Sequence, residues 1–162
     1  QNNSVAIKDV IYAMTVLDLE TFTFQRLMRD QLSWAYRHCL ITHCVVTEAS
    51  FMVRQTSEAD VKAEEEKNHA YRYAVQDMRY PSAGCIFKNP PECRESAGML
   101  IDRCGLKGYR IGDACISQKH ANYILNLGSA RAADIRMVME KVQLTVKERY
   151  NVMLEPEIEY VI

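Results

Sequence analysis

Six cysteines and four histidines are the residues of this 162-residue chain whose types could make or break bonds. The densest group is His38-Cys39 with His43-Cys44. It has neither the Cys-x-x-Cys nor the His-x-x-x-His spacing of a zinc site, and strand alternation would turn neighbours to opposite faces. No metal site is expected. Cys85 and His120 could instead act as thiolate nucleophile and imidazole base, as in a cysteine hydrolase, but only residue identity supports that pairing. Cys85 lies in Pro81-Ser-Ala-Gly-Cys-Ile-Phe-Lys-Asn-Pro90, where the competing reading is one more small buried residue. Glu157 follows Leu154-Glu-Pro156, and Glu155 and Glu159 share its parity, so periodicity alone does not single it out.

Bulk properties narrow the classes. Hydrophobic residues are 48% and charged residues 25%, a profile that can bury a core. With 20 basic against 21 acidic side chains, neither a nucleic acid nor an anionic membrane is the expected partner. No apolar run approaches the roughly 20 residues of a membrane span. The cysteines lack the pairing pattern of a disulfide framework and several fall at apolar positions, so reduced thiols and a cytoplasmic protein are expected. The first residues, Gln1-Asn-Asn-Ser-Val-Ala-Ile-Lys8, have no signal layout and no initiating Met, and read as an internal start.

These residues need elements to position them. Residues 8–22 are rich in Val, Ile, Tyr and Thr and predict a strand, with a hairpin turn over Asp18 to Thr21 leading into Phe22-Thr-Phe-Gln-Arg-Leu27. Residues 44–54 predict another strand, and together these suggest the antiparallel edge of a sheet whose other strands lie upstream. Ser57-Glu-Ala-Asp60 is a capping-box start for a charged helix toward Tyr73, a solvated linker packing on one narrow stripe. Ser96 caps a short helix that shares Ala97, Leu100, Ile101 and Cys104 on one face and stops at Gly105. Ala114–Ile116 and Asn122–Asn126 predict short strands. Ser129 is the expected cap of a long helix carrying Ile135, Val138, Met139, Val142 and Val146 at helical spacing. A final strand is predicted over 152–162. Helices and strands are interspersed without regular βαβ units, so the class is α+β.

Four segments carry a resemblance. They are Trp34-Ala-Tyr-Arg-His-Cys39, the run 81–90, Ser96 to Gly108 continuing through Ile116-Ser-Gln-Lys-His-Ala-Asn-Tyr123, and Leu154-Glu-Pro-Glu157. In this order and spacing, from Ala6 onward, the chain resembles the UDP-N-acetylenolpyruvoylglucosamine reductases, flavoenzymes that use FAD and NADPH to make UDP-N-acetylmuramate. The resemblance implies that 1–55 is the C-terminal portion of an FAD-binding domain, 56–80 a helical linker and 81–162 a substrate-binding domain. It implies Cys85, where many members have Ser, as proton donor, and Glu157 as the second active-site acid. A thiol, with an ordinary pKa of about 8.5, is a far stronger acid than an alcohol, so the exchange preserves the chemistry. It also implies substrate-binding roles for Tyr36 and Arg37 at the phosphates, for Lys88 and Asn89 after the donor, and for His120 at the nucleotide. Gly84 and Pro90 are expected to set the loop backbone.

Departures accompany the match. Only 6 glycines are present and none forms a phosphate-cradling run, so the segment that binds FAD is expected to precede this chain. Val75-Gln-Asp77 stands where the family often carries a phosphate-binding lysine, with Arg72 and Arg79 as possible replacements; Cys39 replaces a usual Ser. The expected partner is UDP-N-acetylglucosamine enolpyruvate, bound by a chain inactive by itself. The alternative is a non-catalytic UDP-sugar-binding fragment lacking the FAD site.

Overall fold

Asp18 shows how local chemistry sets the first hairpin. Its Oδ1 accepts the backbone N–H groups of Glu20 at 2.9 Å and Thr21 at 2.8 Å, which reverses the chain and holds the carboxyl below the usual carboxylate range. The computed structural model describes residues 5–159 and divides the chain into two units, Gln1–Asp60 and Val61–Ile162.

In the first unit, one helical turn, α1 (Ile7–Val10), leads into β1 (Ile11–Asp18). β1 pairs antiparallel with β2 (Phe24–Met28) on one side and β5 (Cys44–Phe51) on the other. The return strand starts at Phe24, because Phe22 belongs to the turn with φ 54°. Two register shifts against β5 break simple alternation, so Ala13 and Met14 are both buried. A small core of Ile11, Met14, Val16 and Leu32 results, while Phe22, Phe24, Val46 and Phe51 stay exposed. A 3-10 turn (Arg29–Gln31) precedes a two-stranded ribbon, β3 (Trp34–Ala35) with β4 (His38–Cys39), which the sequence patterns did not indicate.

α2 spans Glu58–Val75 and starts as expected: Ser57 Oγ accepts the Asp60 N–H at 3.1 Å while the Asp60 carboxylate accepts the Ser57 hydroxyl at 2.6 Å. The narrow packed stripe does not form, since no residue of α2 is buried. Glu64 through His69 is nearly two turns without an apolar side chain, which interrupts any stripe.

The second unit holds a four-stranded antiparallel sheet in the order β6 (Ser82–Cys85), β9 (Tyr123–Asn126), β8 (Ala114–Ile116), β7 (Arg110–Ile111). α3 (Ala97–Arg103) and α4 (Ala132–Tyr150) close its core, in which Phe87, Leu100, Ile116, Val138, Val142 and Leu154 are buried. Ser96 Oγ accepts the Met99 N–H at 3.3 Å, and Gly105 ends the turn with φ +72°. The cap of α4 differs from expectation. Arg131 is the capping position, and the Asp134 carboxylate accepts its N–H at 3.0 Å, while the Ser129 N–H goes instead to Asp113 at 2.9 Å. The last segment also differs. It forms no strand among the described residues, only one antiparallel bridge between Phe87 and Pro156, because Pro156 has no N–H to extend a ladder; residues 160–162 of the predicted strand lie outside the described residues. Mixed elements with an antiparallel sheet make the fold α+β, as predicted.

Candidate functional site

The segment from Cys85 to Lys88 is held from two sides. Gly84 precedes it with φ +82°, where an added Cβ would meet nothing within 4 Å, so the demand for glycine is conformational. On one side Asn122, itself 3% exposed, acts as a side-chain rung. Its Oδ1 accepts the Phe87 N–H at 3.0 Å and its Nδ2 donates to the Phe87 carbonyl at 2.8 Å, while its own carbonyl accepts the Ile86 N–H at 2.9 Å. On the other side the Lys88 N–H donates to the Glu155 carbonyl at 2.9 Å, and the Glu157 N–H donates to the Ile86 carbonyl at 2.7 Å. Two regions remote in sequence are thereby fixed in register, with Glu157 bonded to the residue after Cys85.

Within that frame the three acids part company. Glu155 pairs with Lys88 Nζ at 2.6 Å and is 69% exposed, and Glu159 is exposed. Glu157 is half-buried with one carboxylate oxygen inaccessible. Lys88, a predicted substrate contact, is therefore engaged with Glu155. Asn89 is engaged too: its Oδ1 accepts the Ala97 N–H at 3.0 Å and so supports the start of α3 alongside Ser96.

Cys85 stands opposite Tyr123 in the β6–β9 register. Burial first, then charge on Cys85, pushes the Tyr123 phenol above its ordinary range, with Arg72 opposing. The His120 ring packs against Tyr123 with centroids 4.5 Å apart, and its Nδ1 accepts the Asn122 N–H at 3.3 Å. Burial holds the His120 imidazole below its ordinary range, with Lys107 adding to the effect, so the neutral ring presents Nε2–H as a donor. Gly98 lies beside this ring, where an added Cβ would make an ordinary van der Waals contact of 3.5 Å with His120 Cε1. Asn122 and Tyr123 were not singled out by sequence reasoning. The signal was the continuous run His120-Ala-Asn-Tyr123, in which only the histidine looked chemical.

Of the two arginines suggested for the missing lysine, Arg79 forms a two-point pair with buried Asp77 at 2.9 and 3.0 Å, which keeps the Asp77 carboxyl below its usual range. Arg72, near the end of α2, acts electrostatically on Tyr123, and Lys119 Nζ donates to the neighbouring Tyr73 carbonyl at 3.0 Å.

In the first unit, Tyr36 and Arg37 form the two-residue turn between β3 and β4. Arg37 takes φ 60°, a left-handed conformation that a non-glycine residue adopts at a cost of about 1 kcal/mol. Tyr36 is 59% exposed. A cavity of about 900 Å³ opens beside the turn, lined by Lys8, Trp34, Tyr36, Arg37, His38 and Cys39 among others. Its cations and aromatic rings suit an anionic, ring-bearing ligand. Burial, reinforced by Cys44, pushes the Cys39 thiol up.

Among the described residues, the glycines do not make a flavin-phosphate cradle. All six glycines fall in the second unit, at 84, 98, 105, 108, 112 and 128. Gly108 is crowded by the Gln118 side chain, and a Cβ on Gly112 would lie 2.9 Å from Asp134. None lines an open run of backbone N–H groups.

Comparison with known proteins agrees with the segment pattern. Residues 76–161 match the family described as UDP-N-acetylenolpyruvoylglucosamine reductase, C-terminal domain. A reductase of that name from Caldicellulosiruptor saccharolyticus is 42% identical over 159 residues, covering 96% of this chain and 50% of the relative. A second, from Symbiobacterium thermophilum, is 40% identical over 83% of this chain and 44% of its own length. The crystal structure of the reductase from Thermus caldophilus superposes with a TM-score of 0.77 at 34% identity, covering 94% of this chain and 53% of that one. The chain spans about half the length of the curated relatives it matches.

Proposed function

Because the chain belongs to the UDP-N-acetylenolpyruvoylglucosamine reductase family, we propose that it is the substrate-binding, proton-donating part of a longer enzyme that reduces UDP-N-acetylglucosamine enolpyruvate to UDP-N-acetylmuramate. Residues 1–55 belong on this reading to the FAD-binding domain, 56–80 to a linker and 81–162 to the substrate domain. FAD, reduced by NADPH, supplies the hydride when bound, and the cradle for it belongs to sequence outside this chain. That same sequence is the natural cover for the exposed apolar side chains of the three-stranded sheet.

The observation that carries the proposal is the register that sets Glu157 beside the Cys85 segment. Reduction of an enolpyruvyl ether places a proton on one alkene carbon after hydride reaches the other. Cys85 gives that proton, its S–H bond breaking as the C–H bond forms, and a thiolate remains. Glu157, half-buried, orients the enol or serves as the second acid. Tyr36 and Arg37 engage the phosphates, the planar guanidinium in two-point contact. His120 offers Nε2–H to the nucleotide. Lys88 and Asn89 act from the loop, where Lys88 shares its charge between Glu155 and the substrate.

The test is the reaction itself, assayed on the whole protein that contains this chain. It should consume NADPH when UDP-N-acetylglucosamine enolpyruvate is added, and Glu157→Gln should lower kcat more than it raises KM. NADPH consumption unaffected by the UDP-sugar would overturn the assignment.

A further inference from the structure

The strand that carries Cys85 ends at that residue, after a register shift between Ser82 and Cys85. Just beyond it, the Ile86 N–H donates to the Asn122 carbonyl at 2.9 Å. Phe87 then meets the Asn122 side chain instead of a backbone. Oδ1 accepts the Phe87 N–H at 3.0 Å, and Nδ2 donates to the Phe87 carbonyl at 2.8 Å. A primary amide holds an acceptor and a donor side by side, so it satisfies both groups of one residue as a paired strand residue would. The N–H of Asn122 is itself taken by His120 Nδ1 at 3.3 Å. Asn122 is 3% exposed and Phe87 2%, so this amide is enclosed and does not touch a substrate. On the other side, the Ile86 carbonyl accepts the Glu157 N–H at 2.7 Å. That carbonyl and the Phe87 N–H belong to one planar peptide unit, which Glu157 and Asn122 therefore grip from opposite ends.

We propose that Asn122 is a positioning residue for the proton transfer: its side-chain amide stands in for a neighbouring strand at Phe87 and so fixes Cys85 relative to Glu157. This role rests on the reading of Cys85 as the donor. Cys85 is joined covalently to Ile86, and Glu157 is bonded to the Ile86 carbonyl, so the orientation of the Ile86–Phe87 peptide sets one group against the other. Without the amide that plane is gripped from the Glu157 end alone and can turn. Proton transfer depends steeply on such alignment, and a misplacement of about 1 Å can cost about 100-fold in rate. Alanine removes both bonds, and an ionised aspartate keeps the acceptor but loses the donor. The paired acceptor and donor are thus the informative feature.

Stopped-flow half-reactions on the whole protein separate this role from a merely structural one. Asn122→Ala should slow oxidation of the reduced flavin by UDP-N-acetylglucosamine enolpyruvate by about 10- to 100-fold. Flavin reduction by NADPH should stay as in the parent, and the KM for the UDP-sugar in turnover should change little. In a Cys85→Ala background the same substitution should cost about twofold or less, because the group it aims is gone. Equal factors in both backgrounds, or an undiminished rate in Asn122→Ala, would overturn the proposal. Where Asn122→Ala does not fold, as judged by circular dichroism, Asn122→Asp carries the test. The introduced carboxyl can both accept and donate only when protonated, so the oxidation rate should climb toward the parent's as pH falls. Rates are taken as the ratio to the parent at each pH, so that titration of Cys85, His120 and Glu157 cancels. A ratio that does not vary with pH overturns the proposal as well. Flavin oxidation that proceeds at the parent rate in Cys85→Ala alone sinks the donor reading instead, so the two failures are separable.

Discussion

Replacing Asn122 by alanine removes the rung that fixes the Cys85 segment, and the cost can be worked from its two bonds. The side chain supplies the acceptor for the Phe87 N–H at 3.0 Å and the donor for the Phe87 carbonyl at 2.8 Å, and Phe87 is 2% exposed. Each buried polar group left without a partner costs about 1–3 kcal/mol, so the pair should cost about 2–5 kcal/mol, water entry accounting for the lower end. Urea unfolding followed by circular dichroism measures this; fluorescence does not suit, because the single tryptophan, Trp34, lies in the other unit. Asn122→Asp adds a check on direction. It keeps the acceptor but turns a carboxylate toward the Phe87 carbonyl, which raises the folded-state pKa of the new acid. Its deficit should therefore be smallest below the unfolded value of about 3.9 and grow as pH rises through the higher folded value. A loss under about 1 kcal/mol for Asn122→Ala would refute the reasoning, since it would mean Phe87 is held as well without the rung.

Two further outcomes follow from the same structure. Burial keeps the folded-state pKa of His120 below its unfolded value of 6.5. The associated stability is then fully present above that pH and is lost as pH falls toward the folded value, and His120→Gln should flatten the decline in a series of denaturant titrations. Asn151 ends α4 with φ 55°, so Asn151→Gly should be neutral or slightly stabilising and Asn151→Ala destabilising by about 1 kcal/mol in thermal melts.

Local chemistry was the part of the fold most legible in the sequence. Asp18, Ser57 and Ser96 each declare a turn or cap through bonds to backbone a few residues away, and all three make those bonds. The spacing of Val138, Val142 and Val146 fixed one face of α4 for the same reason. Less conventional signals were not legible. Asp134 caps α4 from inside the helix, so the better-looking Ser129 misled. The last segment alternates like a strand, but Pro156 limits it to a single bridge. At the candidate site, motif order picked out Cys85 and Glu157, whereas Asn122 matters through the Phe87 backbone it bonds, which no periodicity encodes.

The most direct measurement on the central claim is a pair of stopped-flow half-reactions on the whole protein carrying Cys85→Ala. Flavin reduction by NADPH should proceed nearly as in the parent, while oxidation of the reduced flavin by UDP-N-acetylglucosamine enolpyruvate should slow by about two to four orders of magnitude, the usual contribution of a positioned acid. Equal slowing of both half-reactions, or of neither, would contradict the assignment of Cys85 as the proton donor.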